Sequence, residues 1–176
     1  MSVVLTIARQ LFRFALYAGL YVLLISQLKL FEVGWCFFYL GFLLFLPLDA
    51  PVAVQLLLGF GTGLAMDVTF DTGGLHAVAA VLLMYLRPHI VRLLTPRDGY
   101  DAQDSVNVHQ MGWQWFLVYL LLLVSAHHAV YFFLELGSFR HPLLTLTRIG
   151  ASILFTSVAM LIVQLLFFPV RRGRRN

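Results

Sequence analysis

The chain alternates between long apolar runs and short polar segments. A hydrocarbon core about 30 Å thick is crossed by roughly 20 residues of α-helix, and six runs in the sequence reach or approach that length. We predict helices at Leu11–Leu28, Trp35–Leu46, Val52–Met66, Gly74–Leu94, Trp113–Glu135 and Leu143–Phe168. The pattern therefore predicts an all-α integral membrane protein with about six transmembrane helices.

Two of these runs are short. As helices, Trp35–Leu46 and Val52–Met66 would span only about 18–22 Å. The segment between them, Pro47-Leu48-Asp49-Ala50-Pro51, has the composition of a turn. We predict a hairpin of two short helices, which needs a thinned bilayer, extra turns from its flanks, or cover from the longer helices.

The composition agrees with a membrane protein. The chain is 61% hydrophobic and 11% charged, whereas soluble domains are about 45–50% apolar and about 25% charged. Six helices would use about 120 residues, so we predict a single polytopic membrane domain over residues 1–176. The lone Cys36 excludes an internal disulfide. A net charge of +4 could indicate binding to nucleic acid, but the arginines lie at helix ends and not on a soluble face, so we predict no nucleic-acid partner.

The placement of lysine and arginine predicts the orientation of the chain. With the N-terminus inside, the outer side holds only Lys29, Arg140 and Arg148, and the inner side holds the other nine: Arg9, Arg13, Arg87, Arg92, Arg97, Arg171, Arg172, Arg174 and Arg175. Cytoplasmic loops carry such an excess, so both termini are predicted to be cytoplasmic. Aromatic belts are predicted from Trp113 and Trp115 inside and from Trp35 and Tyr39 outside. The C-terminal arginines are interpreted as a topology anchor that also contacts anionic lipid.

The longest predicted loop runs from Thr95 to Gly112 on the cytoplasmic side. The residues that we assign to this cytoplasmic region are Arg87, Pro88, Arg92, Arg97 and Asp98. The arginines before the loop are expected to extend to the lipid headgroups.

Six ionisable residues in or beside the apolar runs need an explanation, because an unpaired charge in hydrocarbon costs roughly 2.5–3.5 kcal/mol. They are Asp67, His76, His127, His128, Glu135 and Arg148. Gly59, Gly63 and Asp67 share one helical face, on which the glycines would allow close approach of another helix. His128 and Glu135 share a face of the fifth helix, and Ser152 and Thr156 continue the face of Arg148.

We interpret these residues as a structural and partner-binding network at the outer helix ends, formed by Gly59, Gly63, Asp67, His76, His128, Glu135 and Arg148. Its expected ion pairs join Arg148 to Asp67 or to Glu135. The alternatives are a ligand, ion or proton site that opens outward, residues that are simply hydrated at the membrane interface, and a zinc site formed by the three histidines. Adjacent histidines on a helix point apart, which disfavours zinc, so we predict no metal site and no cofactor.

Catalytic motifs are absent from the sequence. It has no G-x-S-x-G, no H-E-x-x-H and no phosphate-binding glycine loop. We predict that the protein is not an enzyme, with no catalytic residues. An intramembrane hydrolase that uses His127, His128 and Glu135 is a further alternative, which lacks a nucleophile beside a base.

Several motifs in a fixed order carry a resemblance to a known family. They are Gly63-Leu64-Ala65-Met66-Asp67, Gly74-Leu75-His76-Ala77, Tyr85-Leu86-Arg87-Pro88, Leu93–Tyr100, Met111-Gly112 with Trp115-Phe116-Leu117, and His127-His128 with Phe132–Glu135. Together they resemble the rod shape-determining protein MreD family in its Bacteroidetes-type form, from about the first helix to the sixth.

This resemblance implies a non-catalytic inner-membrane subunit of the bacterial cell-elongation complex. Such proteins associate with MreC, and through it with the RodA glycosyltransferase, its transpeptidase and MreB. They scaffold or regulate peptidoglycan synthesis and cell shape. The implied fold is similar to the six-helix substrate-binding subunits (S-components) of energy-coupling-factor transporters.

Two functions are therefore weighed. An assembly subunit would bind a membrane protein of MreC type through helix faces and the Thr95–Gly112 loop, and would co-purify with it without a small ligand. The alternative is an S-component-like substrate-binding subunit of a small-molecule transporter, in which the outer polar residues form a pocket.

Overall fold

The computed structural model describes residues 3–101, 104–136 and 142–168, which are mostly helical. The helices are α1 (Val3–Leu23), α2 (Leu40–Leu44), α3 (Val52–Phe70), α4 (Leu75–Leu93), α5 (Val108–Met111), α6 (Trp113–Leu136) and α7 (Pro142–Phe167). A 3₁₀ turn at Ile25–Gln27 leads into a hairpin of two short antiparallel strands, β1 (Lys29–Leu30) and β2 (Gly34–Trp35), with Lys29 opposite Trp35. The predicted all-α class thus holds apart from this hairpin.

Four helices are long and apolar enough to cross a membrane. They correspond to α1, α3, α6 and α7. Large apolar side chains on them face outward, among them Phe12, Leu57 and Leu166, which are 68%, 71% and 71% exposed. Exposed apolar faces of this extent are typical of contact with lipid. The chain is therefore a helical membrane protein with at least these candidate spans.

The predicted second span is not one continuous helix. It contains the last residue of β2, an irregular stretch and only five residues of helix, and α2 is about 7–8 Å long. Every residue from Cys36 to Leu46, which we call the core segment, is buried within the protein. An irregular backbone is tolerated at membrane depth only where protein or a water-filled cavity surrounds it. Of the three options predicted for this short run (a thinned bilayer, extra turns from its flanks, or cover from the longer helices), the structure shows the third, because the surrounding protein buries the segment.

The other predicted boundaries differ in ways that have physical causes. The third helix continues to Phe70 instead of ending at Met66, because the polar side chain of Asp67 turns inward and bonds to α4. The first helix covers Val3–Leu23, which is earlier in the chain than the predicted Leu11–Leu28. The predicted fourth, fifth and sixth helices agree with α4, α6 and α7 to within a residue or so.

Helices α3 and α4 form a tight antiparallel pair. A turn joins them in which Asp71 has the left-handed conformation, with φ of 53°. A Cβ atom at Gly63 would lie 2.6 Å from the Ala77 nitrogen, and one at Gly59 would lie 2.7 Å from Met84 Cγ. At Gly63 the neighbouring atoms are backbone, so only glycine fits, whereas at Gly59 the Met84 side chain would have to shift. Both positions show the close approach expected from the spacing.

The predicted Thr95–Gly112 loop is folded back onto the helices in its described parts. Asn107 caps the short helix α5 by accepting a hydrogen bond from the His109 N–H. The Gln164 side chain of α7 accepts from the Val108 N–H and donates to the Val106 carbonyl. This end of the bundle is therefore fixed to α7 through backbone hydrogen bonds.

Candidate functional site

The first cluster joins α3 to the start of α4. One carboxylate oxygen of Asp67 accepts from the His76 N–H at 2.9 Å and from the Thr72 hydroxyl, and the other accepts from the Ala77 N–H at 2.9 Å. The first N–H groups of a helix have no partner within it and favour a negative charge. Asp67 therefore serves as the N-terminal anion of α4 and makes no ion pair with Arg148, contrary to one of the expected pairings.

The second cluster is centred on Tyr39 of the core segment. Its hydroxyl oxygen lies 2.9 Å from His76 Nδ1 and 2.9 Å from His127 Nε2, and all three side chains are buried. Tyr39 is fully enclosed, so the prediction that it belongs to an interfacial aromatic belt is wrong. His127 Nδ1 is buried and has no hydrogen-bond partner in the part of the chain that the structure describes. Tyr39 thus links α4 to α6 through the middle of the protein.

The third cluster satisfies the backbone where the chain enters the core segment. Ser152 Oγ accepts from the Trp35 N–H at 2.9 Å, and Thr156 Oγ1 accepts from the Phe37 N–H at 3.1 Å. Thr156 also bonds to His128 Nε2 at 3.1 Å, while His128 Nδ1 bonds to the Val124 carbonyl at 2.8 Å. The polar row predicted on the last helix is therefore the set of side chains that holds this backbone.

The fourth cluster satisfies the carbonyls where the core segment ends. The Arg87 guanidinium is 0% exposed and donates to the carbonyls of Leu46 and Pro47 and to the side chains of Gln55 and Tyr119. Two further donors reach neighbouring carbonyls: Arg13 bonds to Phe45 at 2.8 Å and the Tyr119 hydroxyl to Leu44 at 2.7 Å. The last carbonyls of a helix lack partners within it, and here side chains from α1, α4 and α6 provide them.

This fourth cluster corrects the expectation for two loop residues. Arg87 and Pro88 lie inside α4, and Arg87 is enclosed by protein instead of extending to headgroups. Arg92 is exposed in the last turn of α4, and Arg97 and Asp98 lie in the exposed turn that follows.

The fifth cluster lies beside the β hairpin. Arg148 and Glu135 form an ion pair at 3.7 Å, the other pairing expected from the sequence, and both side chains are partly exposed. The Arg148 guanidinium lies 5.4 Å from the centre of the Trp35 ring, and the Lys29 ammonium lies 5.8 Å from it. Cations at these distances are attracted by the face of an indole ring.

A cavity of about 170 Å³ lies between these clusters. Its aromatic walls are Tyr21, Trp35, Phe37, Phe70, Tyr131 and Phe132, and its polar lining includes Ser26, His76 and Glu135. The ring of Phe37 contacts the rings of His76, His127 and His128, so the core segment packs directly against these three histidines.

The residues predicted to form a single polar network at the outer helix ends are instead divided among separate clusters. Asp67 and His76 meet at the start of α4, His128 bonds to Thr156, and Glu135 pairs with Arg148. Within the described ranges, no group of three His, Cys, Asp or Glu residues is arranged to hold a metal ion. Arg140 and the C-terminal arginines lie outside the described residues. Of the inner-belt tryptophans, Trp113 is exposed but Trp115 is buried and donates to the Leu94 carbonyl.

Sequence reasoning missed Tyr39, Gln55 and Tyr119, although the sequence carries a signal for one of them. Gln55 precedes Gly59 by four residues and so extends the strip of Gly59, Gly63 and Asp67 on α3. Tyr39 and Tyr119 stand among other aromatic residues, and no pattern distinguishes them from residues at a membrane interface.

The side chains of these clusters form hydrogen bonds, orient one another and are enclosed by protein. In the described part of the chain the Thr156 hydroxyl is bonded to the His128 imidazole, and both side chains are buried in the packed core.

A scan against protein-family models, a search of the curated proteins and a search of the solved structures each found no match to this chain.

Proposed function

We propose that the protein is a non-catalytic scaffold or regulatory subunit of the bacterial cell-elongation complex, located in the inner membrane with both termini in the cytoplasm. The resemblance of its motifs to the MreD family supports this assignment. In the proposed topology the chain crosses the membrane six times, through the core segment and through α1, α3, α4, α6 and α7.

The observation that carries the proposal is an open groove between α1 and α3. It has a volume of about 550 Å³ and is almost entirely apolar, with Leu11 and Phe14 on one wall and Leu57 and Leu58 on the other. Small residues of α3 that line it, Gly61 and Ala65, are spaced four apart, and a Cβ atom at Gly61 would meet nothing within 4 Å. Strips of small residues are where transmembrane helices approach each other closely.

One polar atom in the groove indicates which kind of side chain a bound partner helix would need. Gln10 lines the groove, and its side-chain oxygen is buried without a hydrogen-bond partner among residues 3–101, 104–136 and 142–168. A hydrogen bond across transmembrane helices is worth about 1 kcal/mol. The occupant that fits is therefore a single transmembrane helix with small or apolar residues and one side-chain donor, as an MreC-type membrane protein with one span could provide.

Affinity purification from native membranes, followed by mass spectrometry, tests this function. We expect peptidoglycan-elongation proteins of the MreC, RodA and MreB types to co-purify with the wild-type protein. Gly61→Leu places a bulky side chain at a position where an added Cβ atom meets nothing within 4 Å, and it should reduce partner recovery at least tenfold. Val158→Leu, on an outward face of α7, is the matched control.

The outcomes separate the candidate functions. Equal partner recovery with Gly61→Leu and Val158→Leu would show that the groove is not the binding surface. Recovery of an ATP-hydrolysing coupling module, instead of elongation proteins, would favour the transporter-subunit alternative.

A further inference from the structure

We propose that the aromatic cavity next to His76 binds a compact organic cation that also carries a hydrogen-bond acceptor, such as a small amino alcohol. This site is separate from the groove between α1 and α3 and is independent of the proposed assembly function. It develops the alternative of a ligand site among the outer polar residues, and it departs from the expectation that an assembly subunit would carry no small ligand.

The size of the cavity sets the size of the ligand. A cavity of roughly 150 Å³ lined by apolar side chains is known to hold benzene, and this one measures about 170 Å³. It therefore accommodates a ligand of about six to nine non-hydrogen atoms, which is smaller than most cofactors.

The lining determines the sign of the charge. Six aromatic rings line the cavity, and among the described residues that line it the one charged group is the carboxylate of Glu135. Aromatic cages with a nearby carboxylate are the usual site for ammonium ligands, since the ring faces carry negative potential. Lys29 and Arg148 lie over the Trp35 ring, at 5.8 and 5.4 Å from its centre, so the ligand cation would be placed against the other five aromatic rings and Glu135. Arg148 also offsets part of the Glu135 charge, so we expect modest affinity.

The buried histidines determine the hydrogen-bonding group. In a neutral imidazole one ring nitrogen donates and the other accepts, and a buried N–H without a partner is rarer than a bare acceptor. Because His127 Nδ1 has no partner, we assign its proton to Nε2, which then donates to the Tyr39 oxygen. The Tyr39 hydroxyl in turn donates to His76 Nδ1.

This assignment leaves the proton of His76 on Nε2. Nδ1 faces Tyr39, so Nε2 is the ring nitrogen available to the cavity that His76 lines. A ligand with a hydroxyl or carbonyl a few bonds from its cationic group would satisfy this donor while the cation lies against the aromatic walls. Choline has this arrangement and is a suitable probe.

Calorimetric titration of the full-length protein in lipid nanodiscs tests the proposal. We expect saturable choline binding, and binding at least tenfold weaker for 3,3-dimethyl-1-butanol, which has the same shape without the charge. Tetramethylammonium, which lacks the hydroxyl, should bind about threefold to tenfold more weakly, as expected for one lost hydrogen bond.

Variants separate this site from non-specific binding. Glu135→Gln should weaken choline binding about threefold to tenfold, whereas Glu32→Gln, an exposed acid on the same hairpin, should not change it. Ser26→Leu narrows the cavity and should abolish binding even if Glu135→Gln proves unstable. The proposal is overturned if choline shows no saturable binding, if the neutral isostere binds as tightly, or if Ser26→Leu binds like the wild type. None of these results bears on partner co-purification.

Discussion

Replacing Arg87 tests how the core segment is held inside the bundle. The Arg87 side chain is fully buried, and its acceptors are all neutral: the carbonyls of Leu46 and Pro47 and the side chains of Gln55 and Tyr119. Arg87→Met keeps a long apolar stem and removes every donor. The perturbation therefore isolates the hydrogen bonds of the guanidinium from the packing of its methylene groups.

The structure gives the expected magnitude. Arg87→Met leaves the Leu46 carbonyl, the Gln55 side-chain oxygen and the Tyr119 hydroxyl oxygen without this donor. It also removes the longer 3.3 Å contact to Pro47. Each buried acceptor that loses its partner costs about 1–3 kcal/mol. Removing a buried cation recovers part of its desolvation penalty, but guanidinium is the more weakly hydrated cation. We therefore expect a net loss of about 2–4 kcal/mol of unfolding free energy.

Unfolding of the purified protein in a mild detergent, titrated with a denaturing detergent, measures this loss. Arg92→Met is the matched control, because Arg92 is exposed in the last turn of the same helix. It should unfold with the wild-type protein, to within about 0.5 kcal/mol. Arg87→Lys should fall between the two, since an ammonium group donates hydrogen bonds without the planar fork of arginine.

The reasoning is refuted if Arg87→Met is as stable as Arg92→Met. That result would mean that the carbonyls at the end of the core segment do not depend on Arg87, either because water reaches them or because the segment lies elsewhere.

Three further substitutions have defined expectations. Asp67→Asn places an amide donor near the N–H groups of α4, so it should lower the unfolding free energy by about 1–3 kcal/mol. Its control is Asp71→Asn, which lies at an exposed left-handed position that asparagine tolerates and should have little effect. Gly63→Ala creates a clash with the backbone of α4 and should lower the unfolding free energy by about 1–3 kcal/mol. Gly61→Ala adds a methyl group in open space and should leave the stability unchanged or slightly higher; thermal unfolding measures both variants. Tyr39→Phe leaves two buried histidines without their shared partner and should cost about 1–3 kcal/mol; unchanged stability would show that the Tyr39 bonds contribute nothing.

The long apolar helices could be predicted from the sequence because length and composition determine them. Runs such as Trp113–Glu135 are apolar over the full thickness of a membrane, and they fold as the predicted helices. The strip of Gly59, Gly63 and Asp67 could also be predicted, since residues four apart share a helical face whatever the rest of the fold. These features depend on local periodicity alone.

The core segment could not be predicted, because its conformation depends on distant residues. An apolar run such as Trp35–Leu46 reads equally well as a short membrane helix and as buried irregular chain. What decides between them is whether side chains more than 30 positions away, such as Arg87 and Thr156, satisfy its backbone groups. The same dependence explains why Arg87 was expected at the headgroups.

Photolabelling with a lipid-soluble diazirine in native membranes, followed by peptide mass spectrometry, tests the central claim most directly. If the core segment is enclosed by the surrounding helices, the reagent will label outward positions such as Phe12, Leu57 and Leu166 and leave residues 36–46 unlabelled. Labelling of residues 36–46 to the same extent as Leu57 would contradict the account, because the run would then be a lipid-facing helix.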